Sequence, residues 1–300
     1  MSLKTFLICR GTRKSDKKRD AGLTSPTDVL RVDNLSYGPD KMNVLDIYRP
    51  KNVTGKLPVI VSVHGGAWIY GDKELYQYYC MSLAQRGFAV VNFSYRLAPK
   101  HKFPAHLEDT TSVFHWVLKN AKTFEFDTEN IFAVGDSAGA HILSLFCIMC
   151  TNPAYAANYS FNPPENFCPK AVALNCGVYN LSTERAGVLL QIKKDILPRK
   201  GIEEELYSVS PIHFIDKNFP PCYIMTANED FLRDQTEELE KKLKELAIPY
   251  TYTLYGDASN PLQHVFHLDM RNQTGTLCND TQCNYFKTFL LTASLDIFHF

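Results

Sequence analysis

The sequence predicts an α/β fold on a mostly parallel sheet, and three observations carry that prediction. Strand-like apolar runs alternate with helix-like runs along most of the 300 residues. The strand-like runs are almost continuously apolar, as strands covered on both faces must be. A 45% hydrophobic share, with no internal repeat and no low-complexity linker, is enough for one large core. The chain 1–300 therefore reads as a single domain.

A polar, weakly patterned start up to about Val32 is followed by the strand VLDIYRP, the strand LPVIVSVHGG, the helix ELYQYYCMSLAQRG and the strand FAVVNFSYR. Next come a helix within PAHLEDTTSVFHWVLKNAK, the strand NIFAVGD, a helix from Gly139 and the strand KAVALNCG. From Val178 to Ile215 the rhythm breaks. An amphipathic stretch, AGVLLQIKKDIL, and an acidic one, IEEELYS, stand where the next strand should come, so 178–215 reads as an insertion. The strand PCYIMTAN resumes the series. The helix LRDQTEELEKKLKELA has a Leu239, Leu243, Leu246 stripe, and PYTYTLYG and a helix around CNYFKTFLL close the fold. The last ten residues, LTASLDIFHF, follow no pattern.

Composition narrows the function classes. Lys+Arg and Asp+Glu both number 32, so no bulk field exists to hold nucleic acid or an anionic membrane. The one basic run, KSDKKR at Lys14 to Arg19, reads as a solvated segment near a terminus. The apolar stretch Thr5 to Cys9 is too short for a secretory signal, and no window reaches the roughly 18 apolar residues of a membrane span. Nine cysteines without scaffold spacing suggest a reducing compartment, and a cytoplasmic location is the default expectation. Cys147 and Cys150 form a C-x-x-C pair inside LFCIMC, which reads as core packing in a buried helix; Cys278 and Cys283 are less clear.

The stretch NIFAVGDSAGAHILSL places Ser137 between a strand and a helix with small residues on both sides. A G-x-S-x-G turn needs this: Gly135 and Gly139 let Ser137 take a strained conformation that lifts its hydroxyl above the sheet. The alternative is an ordinary helix N-cap serine. A hydroxyl attacking a carbonyl also needs N–H donors for the oxyanion. VHGGAW ends a strand with two glycines, so Gly65, Gly66 and Ala138 are the expected donors, with His64 a scaffold residue. A base must come late in the chain, oriented by a carboxylate. Asp230, after the strand CYIMTAN, and His264, after the strand TYTLYG, are the candidates, ahead of Asp234, Asp257 and His267.

With HGGAW, YRLAPKHKFPAHLED, GDSAGAH, EDFLRD and HVF in this order, the chain resembles the hormone-sensitive-lipase-like family of α/β-hydrolase esterases from about Leu45 to Phe286. The resemblance implies the α/β-hydrolase fold, Ser137 as nucleophile, Asp230 as acid, His264 as base, and Gly65, Gly66 and Ala138 as oxyanion donors. It also implies a lid built from about 1–32 and 178–215. Three positions depart from the family pattern: Ala67 replaces the third glycine of HGGG, Phe231 a proline and Val265 a glycine. Ala67 and Trp68 beside the acyl carbonyl suggest a shallow pocket, and the N-terminal segment looks too polar to roof a long lipid channel. The expected function is hydrolysis of small acetyl to butyryl esters through an acyl-enzyme, with neither metal nor organic cofactor. An amidase or formamidase on the same fold is the first alternative, and a non-catalytic ligand-binding receptor the second. The oligomeric state stays open, a homodimer among the options.

Overall fold

The computed structural model describes residues 2–182 and 187–290. The unpatterned C-terminal decapeptide and residues 183–186 of the insertion lie outside them. Eight strands form one sheet: β1 (Val29–Ser36), β2 (Val44–Pro50), β3 (Leu57–Val63), β4 (Ala89–Phe93), β5 (Phe126–Asp136), β6 (Val172–Asn175), β7 (Cys222–Ala227) and β8 (Tyr250–Tyr255). Their order across the sheet is β1-β2-β4-β3-β5-β6-β7-β8. β2 pairs antiparallel with β1 and β4, and every pairing from β4 through β8 is parallel.

Ten helices accompany the sheet among the described residues: α1 (Leu3–Asp20), α2 (Lys73–Gln85), α3 (Ala105–Lys119), α4 (Ala121–Phe124), α5 (Ala138–Thr151), α6 (Pro153–Ala156), α7 (Gly187–Ile196), α8 (Glu203–Ser208), α9 (Arg233–Glu245) and α10 (Gln273–Thr288). The central strands β4 and β6 are buried at every position, as a doubly covered parallel sheet requires. One face packs against α3 and α5, where Phe114 stacks on Phe146 at 4.1 Å. The other packs against α2 and α10, where Phe286 stacks on Phe132 at 4.8 Å. In α9 the expected stripe holds: Leu239 and Leu243 are buried and Leu246 half-buried. No helix among the described residues is long and apolar enough to cross a membrane.

Two elements depart from the sequence reading. β1 is an edge strand in which every residue after Val29 keeps some exposure, and its register shifts between Val32 and Leu35, so its pattern is faint. The polar N-terminus is an 18-residue helix, α1. Its average polarity hides what fixes it. Ser2 caps it by accepting from the Thr5 N–H at 3.2 Å, and the Ser2 N–H and Thr5 hydroxyl both donate to Asp195 of α7. Arg271 then donates to the Arg19 and Ala21 carbonyls at its end. Asp195 and Arg271 are remote from α1 in sequence, so local patterning could not report them.

Parallel strands point their C-terminal ends at one edge of the sheet, where ligand crevices of α/β folds form. That edge carries the loop after β3, the turn after β5, Cys176 after β6, Asp230 after β7 and His264 after β8. The sheet thus gathers segments spread over some two hundred positions of chain into one place.

Candidate active site

Ser137 sits between β5 and α5 at φ +51°, ψ −118°, a conformation an L-residue adopts only when its surroundings force it. Its N–H donates to the Asn175 carbonyl at 3.0 Å, and its carbonyl accepts from His141 at 3.2 Å. The small neighbours are a steric necessity. A Cβ at Gly135 would stand 2.6 Å from the Gly139 carbonyl oxygen, and one at Gly139 would stand 2.0 Å from that of Val63. The turn closes only because strand and helix touch backbone to backbone there.

His264 donates from Nδ1 to Asp230 Oδ1 at 2.8 Å, which leaves Nε2 as the acceptor. Asp230 Oδ1 also accepts from the Leu232 N–H at 2.8 Å, and Oδ2 accepts from the Thr226 hydroxyl at 3.0 Å. The Cys176 thiol is a further donor. Burial pushes the Asp230 carboxyl up, but the His264 and Cys176 donors outweigh it and hold the group below the usual carboxylate range. The Phe231 ring lies 4.5 Å from the imidazole. Val265 stands at φ +53°, a left-handed conformation that glycine adopts most readily.

Ser137 and His264 line one cavity of about 270 Å³ with Gly65, Gly66, Ala67, Tyr76, Asp136 and Phe231. Its opposite wall comes from α1, through Ile8, Thr12, Asp16 and Arg19. Asp16 accepts from Arg19 at 3.1 Å and from the Tyr70 hydroxyl at 3.0 Å, so the charged pair is held within the wall.

Two expected roles are corrected. The Gly65 N–H donates to the Tyr76 hydroxyl oxygen at 2.8 Å, and that hydroxyl donates to Asp136 Oδ2 at 2.8 Å, so Gly65 is not free to serve an oxyanion. Among the described residues no acceptor faces the N–H groups of Gly66, Ala67 or Ala138. The next two residues after Gly66 both have positive φ, +51° at Ala67 and +60° at Trp68, which turns the chain sharply. That turn sends Trp68 into the core, 1% exposed, where its indole N–H donates to His141 Nδ1 at 3.2 Å. Trp68 is therefore no part of the cavity wall, whereas Ala67 is.

The bystanders separate cleanly. His64 is buried and stacked on Tyr95 at 3.9 Å, with burial lowering its pKa to about 4. His267 is buried too, and burial lowers its pKa to about 3. Asp234 is exposed in the first turn of α9. Asp257 accepts N–H groups of its own turn, from Ser259 and Asn260. Donor atoms of Cys176, Asp230 and His264 lie within 4.8 Å of one another. Hydrogen bonding among these same groups accounts for that proximity. Sequence reasoning missed Tyr76 and Cys176, whose partners Asp136 and Asp230 are distant in sequence, and Thr226, which reaches Asp230 four residues further on.

A mostly parallel eight-stranded sheet with a strained serine turn at its carboxyl edge defines an α/β-hydrolase. Comparison with known proteins agrees. The BD-FAE family profile matches residues 45–243. Carboxylesterase NlhH of Mycobacterium tuberculosis is 35% identical over 249 residues, 77% of this chain and 75% of its own. Esterase LipC of the same organism is 29% identical over 205 residues, and the chain spans about half of LipC's length, 50%. Among solved structures, esterase B from Lactobacillus rhamnosis inhibited by a tributyrin phosphonate superposes with a TM-score of 0.85 at 25% identity, over 95% of this chain and 94% of the other. The Pyrobaculum calidifontis esterase shares the fold at a TM-score of 0.77 and 24% identity, over 97% of this chain and 94% of its own. The chain belongs to this family of hormone-sensitive-lipase-like α/β-hydrolase esterases.

Proposed function

We propose that the protein is a serine carboxylesterase acting on small esters of short acyl chains. The observation that carries this is the convergence, on one cavity, of a serine in a strained turn and a histidine already oriented by a buried carboxylate. His264 Nε2 takes the Ser137 proton as the oxygen attacks the ester carbonyl, and Asp230 stabilises the imidazolium that results. The oxyanion meets the N–H groups of Gly66, Ala67 and Ala138, each worth about 3–4 kcal/mol in the transition state. The imidazolium then protonates the departing alcohol. Water, deprotonated by the same histidine, releases the acid.

The size of the acyl group follows from the walls. Ala67 adds a methyl that a glycine would lack, and α1 closes the far side with a threonine and a charged pair beside Ile8. Each buried CH₂ contributes about 0.8 kcal/mol until the pocket ends, so acetyl to butyryl esters should be preferred. The butyryl-type phosphonate carried by the related esterase B is of that size. A panel of p-nitrophenyl acetate, butyrate, octanoate and palmitate, with the matching anilides, tests the reading. kcat/KM should peak by butyrate, anilides should react far more slowly, and Ser137→Ala should fall by at least about 10³-fold. A maximum at octanoate refutes the pocket argument, and turnover by Ser137→Ala within tenfold of the parent refutes the nucleophile.

A further inference from the structure

The helix α1 presents two unlike faces. Ile8, Thr12, Asp16 and Arg19 recur at helical spacing on the inward side, where they wall the catalytic cavity. The outward side follows the same spacing from Leu3 to Lys18. Its first turns expose Leu3 at 74%, Phe6 at 47% and Leu7 at 55%, and its later turns expose Arg10, Arg13, Lys14, Lys17 and Lys18.

The charge on this outward side has one sign. Asp16 accepts from Arg19 and Tyr70, and Asp20 accepts from Arg19 at 2.7 Å, which leaves the two carboxylates only 17% and 18% exposed. Among the described residues none of the five outward cations forms an ion pair. Charges that balance over the whole chain, 32 against 32, are therefore unbalanced here. Phe6, Arg10 and Arg13 also border a groove of about 560 Å³ that continues onto Met42, Ile69 and Leu97. Asp72, the acid in its lining, is engaged as the cap of α2, where it accepts from the Leu75 N–H at 3.1 Å.

An exposed apolar end, a run of unpaired cations and an apolar groove between two arginines call for a partner that is anionic at its surface and apolar just beneath it. Nucleic acid offers the charge without the apolar layer, and an acidic protein face rarely sets a large apolar patch behind its carboxylates. An anionic lipid surface supplies both. We propose that α1 docks the protein on such a surface, with Leu3, Phe6 and Leu7 entering the headgroup layer and the five cations meeting the lipid anions. The helix lies in the plane of the surface, so the cavity behind it stands about 10 Å away, one helix diameter. This docking does not depend on the ester reading, and its test measures binding without any substrate.

The test is sedimentation of the full chain with sucrose-loaded vesicles of phosphatidylcholine alone or of phosphatidylcholine with about one third phosphatidylserine. The expected result is a partition coefficient at least about tenfold higher on the anionic vesicles, falling as salt is raised from about 0.1 M to 0.5 M. Replacing Lys14, Lys17 and Lys18 together with glutamine should lower it by about 10²-fold, at about fivefold per cation. Phe6→Ser combined with Leu7→Ser should lower it at least about tenfold. Both variants should melt as the parent does, since every changed side chain is exposed. Equal binding to the two kinds of vesicle, no binding to the anionic ones, or anionic binding untouched by the Phe6 and Leu7 changes overturns the proposal. Tighter binding to a DNA duplex of about 20 base pairs than to the anionic vesicles at the same salt would make this a nucleic-acid face and overturn it as well.

Discussion

Replacing Asp230 with asparagine removes one charge from a carboxylate that four donors surround: His264, Leu232, Thr226 and Cys176. The shape is conserved, and both Thr226 and Cys176 can rotate to accept from the new amide, so the fold should survive. What changes is the partner of His264 when that ring becomes a cation. A charge-assisted hydrogen bond becomes a neutral one, and the amide can also hold the ring in the wrong tautomer. Together these cost about 3–5 kcal/mol in the transition state, or about 10²–10⁴-fold in kcat. Stability should follow the same carboxylate. Its pKa is lowered by the fold, so its contribution is present above the ordinary carboxylate pKa and is lost as pH falls through the folded value. The variant's melting deficit should therefore shrink in acid. The assay is kcat on p-nitrophenyl butyrate for Asp230→Asn beside Asp234→Asn, with melting curves across pH. Asp234 is exposed, and its replacement should change kcat by less than about twofold. Asp230→Asn within tenfold of the parent, or Asp234→Asn the more damaging, refutes the reasoning.

Three further outcomes are expected. Ala67→Gly should stabilise the fold by about 1 kcal/mol, because φ +51° strains a residue with a Cβ, and should raise the octanoate-to-acetate ratio of kcat/KM by widening the cavity; unchanged selectivity would separate Ala67 from the acyl group. Asp136 is raised to about 6, chiefly by burial and against the Tyr76 hydrogen bond, so its contribution to stability is full below the ordinary carboxylate pKa and lost as pH rises through 6. Melting of Asp136→Asn relative to the parent should improve by the equivalent of about 2–3 kcal/mol between about pH 4 and pH 7, and a constant difference would contradict this. Trp68→Phe should cost about 1–3 kcal/mol through the lost hydrogen bond to His141 and a small void, yet leave the acyl-chain profile in place; a shifted profile would return Trp68 to the substrate wall.

The central strands were legible in the sequence because burial on both faces leaves continuous apolar runs that no loop would carry. Ser137 was legible for a different reason: its turn excludes side chains by backbone contact, so the constraint is written in the small residues themselves. Asp230 and His264 could be placed because each closely follows a recognisable strand. The direction of a single N–H is not encoded this way. Gly65 and Ala67 differ only in which side of a turn their peptide faces, and a tyrosine hydroxyl from α2 settles it. Trp68 invited a substrate role by size and position, but two consecutive left-handed residues send it inward. In α1, Asp16 and Arg19 read as solvated charge because two of their partners, Tyr70 and the Leu75 carbonyl, become neighbours only after folding.

The most direct test of the central claim is stoichiometric labelling with a butyl-chain p-nitrophenyl phosphonate, followed by mass spectrometry of the intact chain and its peptides. Attack at phosphorus mimics the first step of ester cleavage and stops at a covalent adduct. The account predicts one adduct per chain, located on Ser137, with release of one equivalent of p-nitrophenol. It also predicts labelling slowed by about 10³-fold or more in His264→Ala and none at this position in Ser137→Ala. An adduct on any other residue, or labelling that proceeds equally well without His264, would contradict a serine nucleophile activated by that base.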